Sequence, residues 1–293
     1  MTVDFHVHST ASDGTLSPAE IVRRAEDAAF AALALTDHDN CDGIGEFLAA
    51  PGRATRRTAG IELSIEPGRG FDKFHLLCLG VDPANAELAR FLARIREGRT
   101  ARNARIIANF RRLGIEMEDV PPSVRPVSAY AHGDVLARPH FAKWLVDNAF
   151  ASGVADAFAR YLLPDSPRAT RCYESRFRPD QEEAFRVVHA AGGLCVMAHP
   201  KYWRRAWRND AVDYAAAARE LARLQEVGLD ALEARYGANT PDEDAAFAAL
   251  ADRLGLLKSA GSDFHGASKP TITLGMDVEE SFIAPLLERL AAR

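Results

Sequence analysis

Residues 3–39, VDFHVHSTASDGTLSPAEIVRRAEDAAFAALALTDHD, contain the pattern of a strand, a helix and a second strand. The apolar runs Val3–Val7 and Ala32–Leu35 have the length and composition of short buried strands. Between them, Pro18–Ala29 has the apolar spacing of an amphipathic helix, and SPAE at 17–20 is a helix-start signal. Strands that alternate with helices through short connections indicate a parallel sheet.

The same alternation continues through most of the chain. Five further apolar runs have the length of strands, and about seven strands suit a closed barrel better than an open sheet. We therefore predict an α/β fold with a barrel of mostly parallel strands. The further strands are expected at Thr58–Leu63, Leu76–Val81, Leu194–Ala198, Leu229–Glu233 and Leu256–Ala260, and the further helices at Asp180–Ala191, Val212–Val227 and Pro241–Leu254.

The alternation fails in the middle of the chain. From about Gly98 to Pro179 no run has the character of a buried strand, and the pattern predicts about three helices with a proline-rich joint. We therefore predict two domains. Residues 1–97 and 178–293 form the barrel, and residues 98–177 form a helical insert that covers the active site.

The composition limits the classes of function. The chain has 293 residues, of which 47% are hydrophobic and 26% charged, and its net charge of −5 argues against a generally basic nucleic-acid binder. We expect neither DNA nor a membrane as a partner. No apolar stretch could span a bilayer, and the N-terminus has no signal-peptide pattern, so a cytoplasmic location is expected. The four cysteines form no CxxC pair, which favours reduced thiols.

Histidines and acidic residues gather at the ends of the predicted strands. His6 and His8 close the first strand, where the alternation of side chains puts both on one face. Barrels collect functional groups where strands run into their C-terminal loops, so we expect these side chains to meet. Imidazole and carboxylate are the ligands expected for Mn²⁺, Zn²⁺ or Fe²⁺. The contributing segments are His6-x-His8 with Asp13, Asp37-His38-Asp39, Glu62, His75, His199, and Asp263-Phe264-His265.

These motifs resemble the PHP (polymerase and histidinol phosphatase) family, and the resemblance spans both halves of the chain outside the insert. It implies a distorted (β/α)7 barrel with three divalent metal ions, Mn²⁺ first, and Fe²⁺, Zn²⁺ or Mg²⁺ as alternatives. Many members have a histidine where this chain has Asp13. A carboxylate is a harder ligand than an imidazole, so the ligand set of the second ion is slightly harder here than in those members. The resemblance assigns His6, His8, Glu62 and Asp263 to one ion, Asp13, His38 and His265 to a second, and Glu62, His75 and His199 to the third, with Glu62 bridging.

Such a centre predicts hydrolysis of a phosphate ester. Paired ions lower the pKa of a bridging water, and the hydroxide attacks phosphorus while the ions neutralise charge on the transferring group. Glu62 and Asp263 are the ligands expected to matter most for this step. The chain has no serine nucleophile elbow, Walker loop or GxGxxG fingerprint. An amidohydrolase acting on a C–N bond would use similar ligands, so the metal ligands alone leave that alternative open.

The helix predicted at Leu88–Leu113 carries a polar interruption on its apolar stripe. Arg99, Arg102 and Asn103 fall where the inward face should be apolar. A buried charge needs a partner, and no acid lies at a neighbouring helical position on that face. We therefore expect a substrate phosphate as the partner, held by the guanidinium groups. A structural pairing with a distant carboxylate is the alternative.

A second anion site is predicted at Leu136-Ala-Arg138-Pro139-His140, just before an amphipathic helix. Pro139 suits the first helical turn, which places Arg138 and His140 at the positive end of the helix. His140 could bind a phosphate or protonate the leaving oxygen. Packing beneath the insert is the alternative.

Two anionic subsites favour a substrate with two phosphates. Within the PHP family, the GIE strand, the Arg-x-x-Arg insert, the RPH motif and the terminal GSDFH resemble the group that dephosphorylates nucleoside 3′,5′-bisphosphates. Some of its members, including the RNase AM type, are 5′-to-3′ exoribonucleases. By that resemblance the metals cleave the 3′-phosphate ester, and the 5′-phosphate is held by Arg99, Arg102, Asn103 and Arg138.

The expected partner is therefore a small nucleotide, or the 5′ end of a short RNA. A histidinol-phosphate-type phosphomonoesterase, which needs no second anionic subsite, is one alternative. A non-catalytic scaffold is another.

Four polar residues remain outside these assignments. Asp37 and Asp39 could orient imidazoles, or they could cap loops. His132 and His189 match no motif and are interpreted as structural or surface residues.

Overall fold

The computed structural model describes residues 1–66, 73–130, 136–203, 207–208 and 211–292. The chain divides into two compact units. The first comprises Met1–Leu92 and Arg178–Arg293, and the second comprises Ala93–Phe177. Among the described residues, no helix combines the length and the apolar character needed to cross a membrane.

The first unit is built on one mixed sheet that nearly closes into a barrel. Its strands follow the order β10-β1-β2-β3-β4-β5-β8-β9. β9 and the residues after it also meet the residues that follow β1, because Phe5 N donates to Ala260 O at 2.9 Å and His8 N donates to Phe264 O at 2.9 Å. The predicted distorted barrel is confirmed. The strands of this sheet are β1 Thr2–Asp4, β2 Ala32–Leu35, β3 Arg56–Ile65, β4 Phe74–Leu79, β5 Leu194–Met197, β8 Ala231–Tyr236, β9 Leu257–Gly261 and β10 Met276–Asp277. β6 Trp207–Arg208 and β7 Ala211–Val212 pair with each other in a separate two-stranded sheet.

One central strand departs from the mostly parallel arrangement. β4 is antiparallel to both β3 and β5, whereas the pairs β1–β2, β2–β3, β5–β8 and β8–β9 are parallel. Parallel neighbours need a crossover of a dozen residues or more, and only residues 66–73 join β3 to β4. The short link therefore forces the antiparallel pairing and distorts the barrel.

Helices surround the sheet of the first unit, and their N-termini carry the predicted signals. Ser17 Oγ accepts from Glu20 N at 3.2 Å and Glu20 Oε2 accepts from Ser17 N at 2.9 Å, and Thr240 and Glu243 form the same capping box. The helices of the chain are α1 Pro18–Asp27, α2 Ile44–Ala49, α3 Ala86–Arg112, α4 Arg138–Asp147, α5 Val154–Ala157, α6 Gln181–Ala190, α7 Tyr214–Glu226, α8 Pro241–Leu254 and α9 Glu280–Ala291.

The barrel interior is filled by small and branched side chains. Val3 of β1, Leu77 of β4 and Val196 of β5 pack in one cluster with Phe5, which follows β1, and Ile283 of α9. Each side chain of this size contributes about 1.5–3 kcal/mol when it is fully buried. The interior is therefore a packed core, and polar groups are left for the ends of the strands.

The second unit has a separate helical core. The C-terminal part of α3 contributes Ile106 and Phe110, and α4 contributes Phe141, Trp144 and Leu145. Trp144 Nε1 donates to Arg125 O at 2.8 Å, which satisfies its buried N–H. α3 continues through Gly98 without a break, so the predicted stripe keeps its helical phase through Arg99, Arg102 and Asn103, all of which are buried.

Candidate metal centre

The nine predicted ligand side chains lie together at one end of the barrel, where the parallel strands have their C-terminal ends and antiparallel β4 has its N-terminal end. His6 and His8 follow β1, His38 follows β2, and Glu62 and His75 lie on β3 and β4. Parallel bridges join Val7 to Phe264 and His38 to Glu62, so neighbouring strand ends bring their side chains to one place. The remaining members are Asp13, His199, Asp263 and His265.

Glu62 is the centre of this cluster, because its two carboxylate oxygens face different histidines. Oε2 lies 3.3 Å from His6 Nε2, 3.1 Å from His8 Nε2 and 3.0 Å from His38 Nδ1. Oε1 lies 2.7 Å from His75 Nδ1 and 3.1 Å from His199 Nε2. This is the arrangement that a carboxylate shared between two cations requires.

The other two carboxylates serve opposite sides of the cluster. Asp263 Oδ1 lies 3.5 Å from His6 Nε2 and 3.4 Å from His8 Nε2. Asp13 lies 3.3 Å from His265 Nε2 and 3.8 Å from His38 Nε2. The cluster thus contains two sets of four residues, and within each set the donor atoms lie within 4.8 Å of one another. One set is His6, His8, Glu62 and Asp263, and the other is His8, Asp13, His38 and His265.

The donor atoms fit divalent cations, because several are buried without a hydrogen bond. Among the described residues, His6 Nε2, both ring nitrogens of His8, His38 Nδ1 and Glu62 Oε2 have no hydrogen-bond partner. A buried polar atom without a hydrogen bond costs about 1–3 kcal/mol, and five in one cluster are unusual in a folded protein. Imidazole nitrogens and carboxylate oxygens that point at common positions are suited to Mn²⁺, Fe²⁺ or Zn²⁺.

Electrostatics keep the central carboxylate ionised. Burial alone would raise the pKa of Glu62, but the imidazoles of His38, His75 and His6 hold that pKa well below its usual range. Burial lowers the pKa of His38 to about 3. Burial also disfavours the charged form of His8, but the carboxylates of Asp263 and Glu62 raise its pKa to about 9. Metal binding needs deprotonated imidazoles, so a bound cation would displace the proton of His8.

The backbone at the cluster is strained and closely packed. His199 and Asp263 have left-handed backbones, with φ of 30° and 61°, which cost about 1–3 kcal/mol each for residues other than glycine. At Gly261 an added Cβ would lie 2.3 Å from the His6 Cβ and 2.5 Å from Glu233 Oε1. A glycine is therefore needed immediately before the Ser262-Asp263 turn.

Known proteins similar to this chain identify its family. A model of the PHP domain matches residues 4–94. The 3′,5′-nucleoside bisphosphate phosphatase of Chromobacterium violaceum is 36% identical over 267 residues, which cover 90% of this chain and 87% of that protein. The chain belongs to the PHP family. The predicted PHP resemblance is thus confirmed.

Two further comparisons cover almost the whole PHP chain. The 5′-3′ exoribonuclease Rnm of Escherichia coli is 32% identical over 284 residues, which cover 93% of this chain and 87% of that protein. A solved structure from Chromobacterium violaceum, described as an amidohydrolase with bound sulfate and no metal, has a TM-score of 0.80 and 32% identity. It covers 99% of this chain and 96% of its own.

Glu233 is a buried carboxylate of the PHP barrel that sequence reasoning missed. Its Oε1 lies 2.9 Å from His6 Nδ1, and its Oε2 accepts a hydrogen bond from the backbone N–H of His199. Through these contacts it orients His6 and the strained turn at His199. A signal was present, because Glu233 ends a predicted strand just as Glu62 does.

Tyr236 and Lys269 are further missed residues, and both act on Asp263. The Tyr236 hydroxyl donates to Asp263 Oδ2 at 2.9 Å, and Lys269 Nζ donates to the same oxygen at 2.6 Å. Oδ2 is thereby occupied, which leaves Oδ1 directed at His6 and His8.

Asp37 and Asp39 support loops in the structure. Asp37 accepts from Ser9 N at 2.8 Å and from Ser12 Oγ at 2.5 Å, which fixes the loop that leads to Asp13. Asp39 Oδ1 accepts from Ser64 N at 3.2 Å, which ties the loop after β2 to β3. These contacts correspond to the loop-capping alternative.

The second unit contains the predicted phosphate-binding residues. Asn103 Nδ2 donates to Leu136 O at 2.8 Å, which joins α3 to the chain just before α4. Arg138 Nη1 donates to Leu162 O at 3.3 Å, and its guanidinium lies over the rings of Phe158 and Tyr173. As predicted, Pro139 lies in the first turn of α4. The unit therefore gathers Arg99, Arg102, Asn103, Arg138 and His140 on α3 and at the start of α4.

Of the two unassigned histidines, the structure describes His189. His132 lies outside the described residues. His189 lies at the end of α6, where its Nε2 is 2.7 Å from Asp230 Oδ2.

Proposed function

We propose that the protein, a metal-dependent phosphoesterase, hydrolyses the 3′-phosphate of nucleoside 3′,5′-bisphosphates. Water and the bisphosphate give the nucleoside 5′-monophosphate and inorganic phosphate. The observation that carries the proposal is the division of Glu62 between two sets of histidines, because phosphoryl transfer benefits from closely spaced cations. The relative with this activity, similar over 90% of the chain, supports the choice of substrate.

We assign three divalent ions, Mn²⁺ foremost, to the nine ligand residues. His6, His8, Glu62 and Asp263 would hold the first, Asp13, His38 and His265 the second, and Glu62, His75 and His199 the third. When bound, the ions would ionise the attacking water near neutral pH and neutralise charge on the phosphoryl oxygens. Asp263 serves this site with one oxygen, because Tyr236 and Lys269 hold the other.

We assign the 5′-phosphate to the cationic residues of the second unit. Arg99 and Arg102 are buried on the same helix face as Asn103, and Arg138 and His140 lie in the first turn of α4. Guanidinium groups bind phosphate oxygens in pairs, and the first turn of a helix adds N–H groups and a positive dipole. A substrate with a second phosphate would use these groups.

His140 is our candidate for the proton donor to the leaving 3′-oxygen. Its Nδ1 accepts a hydrogen bond from Ala137 N at 3.0 Å. In the neutral imidazole one ring nitrogen accepts and the other carries the proton, so the proton of His140 is on Nε2. In this tautomer His140 can donate a hydrogen bond through Nε2 to a phosphate or a leaving oxygen, whereas transfer of a proton requires the imidazolium, in which Nδ1 no longer accepts from Ala137 N.

A 5′-to-3′ exoribonuclease is the second candidate. A relative with that activity is similar over 93% of the chain. Both reactions attack a 3′-phosphate. In the bisphosphate this phosphate is terminal, whereas in RNA it is also esterified to the next nucleotide.

A substrate panel tests the proposal. Metal-loaded protein is given adenosine 3′,5′-bisphosphate, 5′-phosphorylated short RNA and histidinol phosphate at equal concentrations, and the released phosphate and nucleotides are measured. We expect the highest kcat/KM for the bisphosphate. Faster release of 5′-mononucleotides from RNA would favour the exoribonuclease, and a preference for histidinol phosphate would overturn the proposal.

A further inference from the structure

A cavity of about 220 Å³ opens beside the proposed third ion. Its wall includes His75 and His199, the two residues that face Glu62 Oε1. A group in this cavity therefore lies only a few bonds from a phosphate at the ions. Ligand sites for larger molecules usually measure about 300–1,000 Å³, so this one suits a single ring system.

Aromatic side chains give the cavity a flat, apolar wall. Phe74 and Trp203 are buried and pack edge to face, with ring centroids 6.2 Å apart. Tyr202 differs from both, because 52% of it is exposed to solvent. A large aromatic surface left open at the edge of a cavity is suited to bind another ring.

The ring of Tyr202 is held in place before any ligand arrives. Tyr236 meets it edge-on, with centroids 5.9 Å apart and planes 88° apart, and the His199 ring lies 5.9 Å away. Tyr236 is itself fixed by its hydrogen bond to Asp263. A preset ring loses little conformational freedom on binding, which strengthens stacking.

The rim of the cavity is cationic. Arg178 and Lys73 line it, and both pair with the single carboxylate of Glu66, at 3.3 Å and 3.2 Å. Among the described lining residues there is no acid. The rim therefore offers N–H donors and a net positive charge to a ligand that carries hydrogen-bond acceptors.

We propose that this cavity binds the nucleobase of the substrate, which stacks on Tyr202 with its ring acceptors towards Arg178 and Lys73. The inference rests on the proposed function, since it presumes a nucleotide whose phosphate lies at the ions. A nucleobase is flat, has the size of one ring system and carries acceptor atoms at its edge. Tyr202 is thereby a specificity-determining residue for substrates that contain a base.

The test compares two substrates that share both phosphates. One is adenosine 3′,5′-bisphosphate, and the other is its abasic analogue, in which tetrahydrofuran replaces the nucleoside. For wild-type protein we expect KM to be roughly 10-fold lower for the nucleotide, because stacking on an aromatic residue has about that effect. Tyr202→Ala should raise KM for the nucleotide by roughly 10-fold and leave KM for the abasic analogue unchanged, whereas Tyr202→Phe should preserve both values.

A binding measurement separates the ring from catalysis. Calorimetric titration with adenosine 5′-monophosphate should give a Kd that rises roughly 10-fold in Tyr202→Ala and stays unchanged in Tyr202→Phe. Equal changes in KM for both substrates, or an unchanged Kd, would overturn the nucleobase site. Phosphate release from neither substrate by wild-type protein would instead overturn the proposed function.

Discussion

Two clusters of metal-ligand residue types lie at opposite ends of the barrel strands in the first unit. At the C-terminal ends, His6, His8, His38 and Glu62 carry buried donor atoms without hydrogen bonds. At the N-terminal ends, His189, Cys195 and Asp230 also place donor atoms within 4.8 Å of one another. The residue types are similar, but their hydrogen bonding is different.

The second cluster is satisfied by the protein itself. Asp230 Oδ2 lies 2.7 Å from His189 Nε2 and accepts from Cys195 N at 2.8 Å, and Asp230 N donates to Cys195 O at 2.9 Å. These bonds join α6, β5 and the start of β8. Unsatisfied donor atoms, rather than residue types, therefore distinguish a candidate metal site from a structural contact.

The largest effect is expected at Glu62. Glu62→Gln keeps the size of the side chain but removes the charge shared by two sets of histidines. Activity should fall about 1000-fold or more, because metal ions supply several kcal/mol of stabilisation to phosphoryl transfer. Phosphate release and metal content by elemental analysis are measured together. A variant with full metal content and full turnover would contradict the bridging assignment.

The next largest effect is expected at Glu233, which contacts His6 without being a proposed ligand. Glu233→Gln should weaken metal affinity by about 10- to 100-fold, as is usual when the partner of a ligating histidine is lost. A chelator competition measures the affinity. Asp230 directly precedes β8, the strand that carries Glu233, and belongs to the satisfied cluster. Asp230→Asn is therefore the matched control and should leave the affinity unchanged. Similar losses in both variants would remove the distinction between the two clusters.

A comparable effect, confined to substrate binding, is expected at Arg102. Arg102→Ala should raise KM for a 3′,5′-bisphosphate by about 10- to 100-fold, because hydrogen bonds to charged groups contribute about 1.5–3 kcal/mol. KM for a nucleoside 3′-monophosphate should change much less. Arg111, on the same helix, pairs with Glu116 and Asp119, and Arg111→Ala is the control. An equal rise for both substrates would refute the role in binding the 5′-phosphate.

The smallest effect is expected at His189, which is 38% exposed at its side chain. His189→Ala removes one partly solvated contact and should lower the free energy of unfolding by about 1 kcal/mol. Urea denaturation measures this change. Metal content and turnover should equal those of the wild type. A loss of bound metal would show that the N-terminal cluster also holds an ion.

The meeting of the nine candidate ligand residues could be predicted from sequence because the position of each one at a strand end is a local feature. His6 and His8 end an apolar run, and Asp263 and His265 follow another, so strand ends are visible without knowledge of the pairing. The helical stripe through Arg99 and Arg102 is also local, and both residues are buried as expected.

The supporting contacts were missed because they join distant parts of the chain. Glu233 is 227 positions from His6, and nothing near either residue indicates that they meet. Tyr236 and Asp263 likewise lie on separate segments whose contact follows from the pairing of β8 with β9. Such contacts depend on sheet register, which periodicity in a single sequence does not reveal.

The antiparallel direction of β4 is not visible in its sequence for a different reason. Its apolar run predicts a strand, but the direction of pairing depends on the short link from β3, which periodicity does not reveal. The short strand β10 was also missed, because two residues are too few to form a pattern.

Anomalous diffraction from crystals of Mn²⁺-loaded protein tests the central claim most directly. We expect anomalous peaks within coordination distance of Glu62, where His6, His8, His38, His75 and His199 converge, and no peak beside Asp230. An absence of peaks at Glu62, or a peak at the His189–Asp230 contact instead, would contradict that claim.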